Sequence, residues 1–181
     1  MSNNAQNPAL SSDEFPPLAT GEKSVIIKLL PIIGVVFIAY LIIGLAMSVL
    51  PLHVHERLGF STFIVGLVAG SQFMAAVFSR PSAGLYAHRN GAKKAVIFGL
   101  TVAVVSGVFY LGSLWFVGSP LTSISILLIG RIALGVAESF IITGALSWGL
   151  SRVGIENTGK AMSWIGTALY AAYAVGAPAG T

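Results

Sequence analysis

What most limits this chain is a series of five apolar blocks, each long enough to cross a bilayer. They cover roughly Val25 to Leu50, Thr62 to Tyr86, Ala95 to Val117, Leu121 to Gly149 and Ala161 to Thr181. A helix of about 20 apolar residues spans the ~30 Å of membrane hydrocarbon. Inside lipid, backbone N–H and C=O groups must be satisfied within the protein, so blocks of this length are helices. A transmembrane strand would need only about 10 residues of alternating polarity, and no block alternates. The expected fold is an all-α membrane protein with five transmembrane helices. Charge supports this: only 9% of residues are charged, against ~25% in a soluble domain. That excludes a soluble enzyme and a disordered chain. With no cysteine, a disulfide framework is impossible.

Residues 1–24 are rich in Asn, Ser and Pro and read as a flexible polar tail. They are not a signal peptide, because no basic segment opens them. The tail and the regions around the loops at 87–94 and 150–160 fall on one side of the membrane. They carry eight bases: Lys23, Lys28, Arg80, Arg89, Lys93, Lys94, Arg152 and Lys160. The opposite side carries Arg57, balanced by Glu56. This asymmetry puts the N-terminus in the cytoplasm. It also accounts for the sequence pI near 9.6 without a nucleic-acid partner; the partner implied is the lipid bilayer.

The fourth block carries Arg131 and Glu138 within the membrane. Each such charge costs ~2.5–3.5 kcal/mol at a helix centre on the insertion scale. Seven residues apart, they stand ~20° apart around the helix and ~10 Å along it, on one face with Gly135. That face must meet water, a polar group of another helix, or a substrate. The functional reading is a polar pathway, with Glu138 as a titratable carboxylate and Arg131 as a fixed charge. The structural reading is a pair with another span. Gln72, Tyr40, Tyr170 and Tyr173 either line a cavity or make helix–helix hydrogen bonds. Gly66, Gly70, Ser71, Ala75 and Ser79 place small residues along the second block, which favours close helix packing. His53 and His55 would face one side of an extended loop, but two histidines and Glu56 do not make a closed metal site. No catalytic constellation, phosphate loop or zinc signature is present.

The segment Gly84-Leu-Tyr-Ala-His88-Arg89-Asn-Gly91-Ala-Lys93-Lys94 closely resembles the signature loop of the major facilitator superfamily, G-x-x-x-D-R-x-G-x-R/K-R/K. It falls where that family has it, after the second span. Gly84, Arg89, Gly91, Lys93 and Lys94 match, and His88 stands at the acidic position. Arg131 and Gly135 resemble the family's fourth-span pattern. Gly176-Ala-Pro178-Ala-Gly180 is similar to the G-P-x-x-G-G motif of family antiporters. The runs around 79–87 and 129–140 resemble the YhhS-like subgroup of bacterial efflux carriers.

The resemblance implies an incomplete N-terminal six-helix half of a carrier in a bacterial inner membrane. The intact protein would move a small-molecule substrate by alternating access, as proton-coupled efflux. The resemblance further implies that Gly84 to Lys94 act as a conformational latch, made pH-sensitive near neutrality by His88. Arg131 tunes coupling and Glu138 carries or senses the proton. No cofactor is implied, since an ion gradient supplies the energy. The fifth block reaches spanning length as the sequence stops, which we read as the front of a longer protein lacking its C-terminal half, or a truncated product. The alternative is a non-transporting membrane protein, inert or a regulatory partner of a full carrier.

Overall fold

The computed structural model describes residues 20–180. The expected tail lies outside the described residues up to position 19, as does Thr181. Five long helices follow in order. Helix α1 covers Thr20–Leu52 and continues into a π-helical turn, His53–Arg57. Helix α2 covers Thr62–Asn90, α3 Ala92–Trp115, α4 Pro120–Val153 and α5 Thr158–Ala179. A short 3₁₀ turn, Ile155–Asn157, joins the last two. Among the described residues, four helical stretches are long and apolar enough to cross a membrane: Ser24–Arg57, Thr62–Asn90, Ala92–Trp115 and Pro120–Val153. Helix α5 has 22 residues, but Gly159, Lys160, Ser163 and Thr167 make its first half less apolar.

The helices run past the ends expected from hydropathy. The loop expected at 87–94 is almost entirely helical: His88 and Arg89 form the last turn of α2, and Lys93 and Lys94 the first turn of α3. Only Gly91 separates them, with φ +97°, a conformation that L side chains rarely adopt. Similarly α4 continues to Val153 and stops at Gly154, whose φ is +83°. Helix α1 has 33 residues and is about 50 Å long, more than the ~30 Å hydrocarbon layer. Its polar ends therefore lie beyond the hydrocarbon, and hydropathy read those ends as loops. The His53–His55 segment is also not extended. In its π-helical turn His53 is half-buried while His55 is exposed and donates from Nδ1 to the Phe60 carbonyl at 2.8 Å.

Helix α4 is the hub. One face packs against α3, antiparallel, where Gly99 meets Ala137 and Ile141, and Gly144 meets Val96. Another packs against α2, parallel, where Gly135 meets Gln72, Ala75 and Ala76. Helices α1 and α5 form a second parallel pair. Val25, Leu29, Ile32, Val36 and Ile43 of α1 share one core with Ala161, Ile165, Ala168 and Ala172 of α5. These stripes recur every three or four residues, the spacing of one helix face. Outward-facing residues are apolar too: Phe63, Phe78, Leu121 and Tyr170 are each about three-quarters exposed, as lipid-facing side chains are.

The small-residue stripe of α2 divides differently from expectation. A methyl group added at Gly66 or Gly70 meets nothing within 4 Å. Both line an open groove with Leu128 and Ile132. The close approach is made from α4 instead. A methyl at Gly135 would collide with the Gln72 carbonyl and lie 2.9 Å from the Ala75 methyl. One substitution should thus have opposite effects at two glycines. Gly135→Ala is expected to cost about 1–3 kcal/mol by overpacking. Gly66→Ala is expected to be neutral or to gain up to about 1 kcal/mol from helix propensity. Thermal unfolding of both variants in detergent checks this; equal losses would refute the packing.

Candidate functional site

The face of α4 that carries Arg131, Gly135 and Glu138 is buried, and it meets α2. Three side-chain bonds run along the seam. Arg131 Nη2 donates to the Ala69 carbonyl at 3.4 Å. Gln72 Nε2 donates to Glu138 Oε2 at 2.9 Å. The Ser139 hydroxyl donates to the Ala76 carbonyl. Because the helices are parallel, partners advance together: 69, 72 and 76 on α2 against 131, 138 and 139 on α4. The face expected from the seven-residue spacing is therefore the face that meets another helix's polar group.

The seam is only partly satisfied. Arg131 is fully buried, yet its Nε and Nη1 have no hydrogen-bond partner among the described residues. The Gln72 Oε1 is likewise buried without one. Unpaired buried N–H and C=O groups each cost on the order of 1–3 kcal/mol, more when charged. Such a site has donors and an acceptor still to be used. Glu138 is buried as well, 8% exposed, and its Oε2 accepts from Gln72.

Tyr40 of α1 completes the cluster from the other helix pair. Its ring is buried and stands edge-on to Tyr173 of α5, with centroids 5.5 Å apart. The Tyr40 ring shares a buried core with Leu134 and Ile141 of α4. Tyr170 is exposed.

The other candidate residues lie elsewhere. His88, Arg89, Lys93 and Lys94 are exposed at the α2–α3 junction. A methyl at Gly84 meets nothing within 4 Å, so packing within the described residues gives no reason for glycine there. Gly176 and Gly180 belong to the α1–α5 crossing. A methyl at Gly176 would come within 2.8 Å of the Leu41 carbonyl, and one at Gly180 within 2.6 Å of the Leu45 carbonyl. Pro178 lies between them in the last turn of α5. The Ser48 hydroxyl donates to the Ala177 carbonyl at the same crossing. Among the described residues no group of three or more His, Cys, Asp or Glu side chains could hold a metal ion.

Sequence reading missed two participants and the partner of a third. Ser139 passes for a small packing residue, and nothing in the sequence pairs it with α2. Gly44 of α1 faces Gly176 at 3.3 Å from an added methyl, and its signal, one glycine in an apolar helix, is too common to notice. Gln72 was a candidate, but its bond to Glu138 crosses 66 residues and depends on helix register.

Comparison with known proteins agrees with the architecture. The sequence matches the profile of the Major Facilitator Superfamily over residues 32–181. The uncharacterized MFS-type transporter YhhS of Escherichia coli strain K12 is 42% identical over 154 residues, 85% of this chain and 38% of that protein. An uncharacterized MFS-type transporter of Pseudomonas aeruginosa strain LESB58 is 39% identical over 160 residues, 88% of this chain and 40% of that protein. One of Burkholderia mallei strain SAVP1 is 40% identical over 154 residues, 85% and 38% of the two chains. The chain thus spans about two fifths of the length of these relatives. No solved structure matches it. A profile match over most of the sequence, on a bundle of long apolar helices, means that the chain belongs to the Major Facilitator Superfamily.

Proposed function

We propose that this chain is the N-terminal part of a bacterial inner-membrane carrier that exports a small solute by alternating access, driven by protons. The observation that carries the reading is the α2–α4 seam. It buries a carboxylate, an amide and a guanidinium with two unpaired N–H groups inside an apolar bundle. Intramembrane charges are costly and by default mark a transport pathway or proton relay. In this reading Glu138 takes and releases the proton, and Gln72 reports its charge to α2. Arg131 is the fixed charge, and Tyr40 borders the path. The N-terminus is cytoplasmic, supported by the bias of Lys and Arg. Gly84, His88, Arg89, Gly91, Lys93 and Lys94 form the latch on that side, and Gly176, Pro178 and Gly180 hold α5 against α1. The path is completed by a C-terminal half, since family sites lie between repeats. A second reading, a non-transporting membrane protein or a partner of a full carrier, draws on the two-fifths coverage of the relatives. Solute uptake by vesicles containing only this chain would exclude it.

Glu138→Gln keeps the shape and the bond to Gln72 but cannot carry a proton. In the full-length carrier it is expected to abolish flux driven by a pH gradient while substrate exchange at equal pH persists. Unchanged pH-driven flux would eliminate the proton role. A pH-jump infrared difference spectrum of the present chain gives a substrate-free check: the Glu138 component of the protonated-carboxyl band should be missing in the variant, with the other five acidic side chains unchanged.

Arg131→Met separates stability from function. Replacing a buried charge whose Nε and Nη1 lack partners by an apolar side chain of similar volume removes its desolvation cost. The variant should unfold at the same or higher temperature, and the full-length carrier bearing it should not transport. A lower unfolding temperature would mean that Arg131 is structural.

A further inference from the structure

We infer that the groove between α1 and α5 at their N-terminal ends binds one acidic phospholipid. Two cavities meet there and share Trp164 and Thr167. The outer one, about 410 Å³, is an open depression lined by Gly159, Lys160 and Ser163 of α5 and offers an amine and a hydroxyl. The inner one, about 400 Å³, is floored by Gly34 and walled by Phe37 and Ile38 of α1. On the α5 side it continues to Ala168 and Ala171. A cationic, hydroxylated end thus runs directly into an apolar channel.

The dimensions fit one lipid in one leaflet. From Lys160 to Ala171 the helix rises about 16 Å, half of the ~30 Å hydrocarbon layer. Helices α1 and α5 are parallel, so both begin at the same side. Lys160 is exposed and is the base at the head end, on the side of the bundle richest in Lys and Arg. Basic pockets between helices on such a face suit anionic headgroups. Trp164 stands at the boundary between head and chain, where amphipathic rings settle. An added methyl at Gly34 meets nothing within 4 Å, so the channel floor is free to receive an acyl chain.

Charge selects the occupant. A zwitterionic lipid fills the channel equally well but gains less from Lys160. A lysine near the surface is worth about fivefold in binding of an acidic lipid. A free phosphate would use the head end alone.

Native mass spectrometry of the detergent-purified chain tests this, with dioleoyl phosphatidylglycerol and dioleoyl phosphatidylcholine as probes. Phosphatidylglycerol should be retained in preference, and Lys160→Gln should lower its retention about fivefold while leaving phosphatidylcholine unchanged. Gly34→Phe, which fills the channel without touching the head end, should lower retention of both lipids. Excess inorganic phosphate should not displace the lipid. Equal retention of the two lipids, or a Lys160→Gln variant like the parent, overturns the acidic-lipid assignment. Full retention in Gly34→Phe moves the lipid elsewhere, and displacement by phosphate makes this a phosphate site. As a check on occupancy in a bilayer, acyl-brominated phosphatidylglycerol should quench fluorescence that is absent from Trp164→Phe. No quenching would mean that a protein segment covers the groove.

Discussion

The missing side chain at Gly135 sets the geometry of the molecule. Lipid gives no hydrophobic drive to press two helices together, so association rests on close packing and on polar bonds between helices. At Gly135 the backbone of α4 comes against the Gln72 carbonyl and the Ala75 methyl. Only at that separation can short and long side chains on either side bridge the seam. Ser139 reaches the Ala76 carbonyl, and Gln72 reaches Glu138 at 2.9 Å. Arg131, one turn before the glycine, is enclosed by the same approach and loses its water. The packing and the polar cluster are therefore one feature: the contact that stabilises the α2–α4 pair is what buries the charges.

Much of this was legible from the residues, for definite reasons. The number of long helices and their type followed from block length, since hydrocarbon leaves the backbone no alternative; α5 is the one of the five that falls short of a span in apolarity. The shared face of Arg131, Gly135 and Glu138 followed from helical periodicity, and the cost of charge in lipid required a polar partner. The partner was not legible. Gln72 is one of several polar groups in the neighbouring spans, and choosing it requires the axial register of two helices, set by Gly135. The glycines of α2 show the converse failure. Gly66 and Gly70 carry the pattern of a packing face, but the bundle leaves them in an open groove, because the pattern records only that a helix is able to approach. Helix ends were misjudged where polar residues continue a helix beyond the hydrocarbon.

The α2–α3 junction shows which residues the fold does not explain. His88 and Arg89 end α2, where a helix dipole favours positive charge. Lys93 and Lys94 begin α3, where the same dipole opposes it by about 0.3–1 kcal/mol each. No acidic residue lies in that first turn. A bundle selected for stability alone would reverse this order. Topology gives one reason to keep the bases, since they hold this side to the basic face of the membrane. The signature-loop resemblance gives a second.

The position of Glu138 decides what its charge can act on. Helices α2 and α3 each pack tightly against α4, and α1 packs mainly with α5; α4 joins the groups along a narrower strip. Glu138 lies at that junction. Its carboxylate accepts from Gln72 of α2, and Leu134 and Ile141, on the same side of α4, share a core with Tyr40 of α1. A side chain bonded across the α2–α4 seam bears on how those two helices sit together. Neutralising Glu138 removes the acceptor of a charged hydrogen bond, which is stronger than a neutral one. The same residue in the middle of the α3–α4 interface, where Gly99 and Gly144 leave no room, would find no such partner.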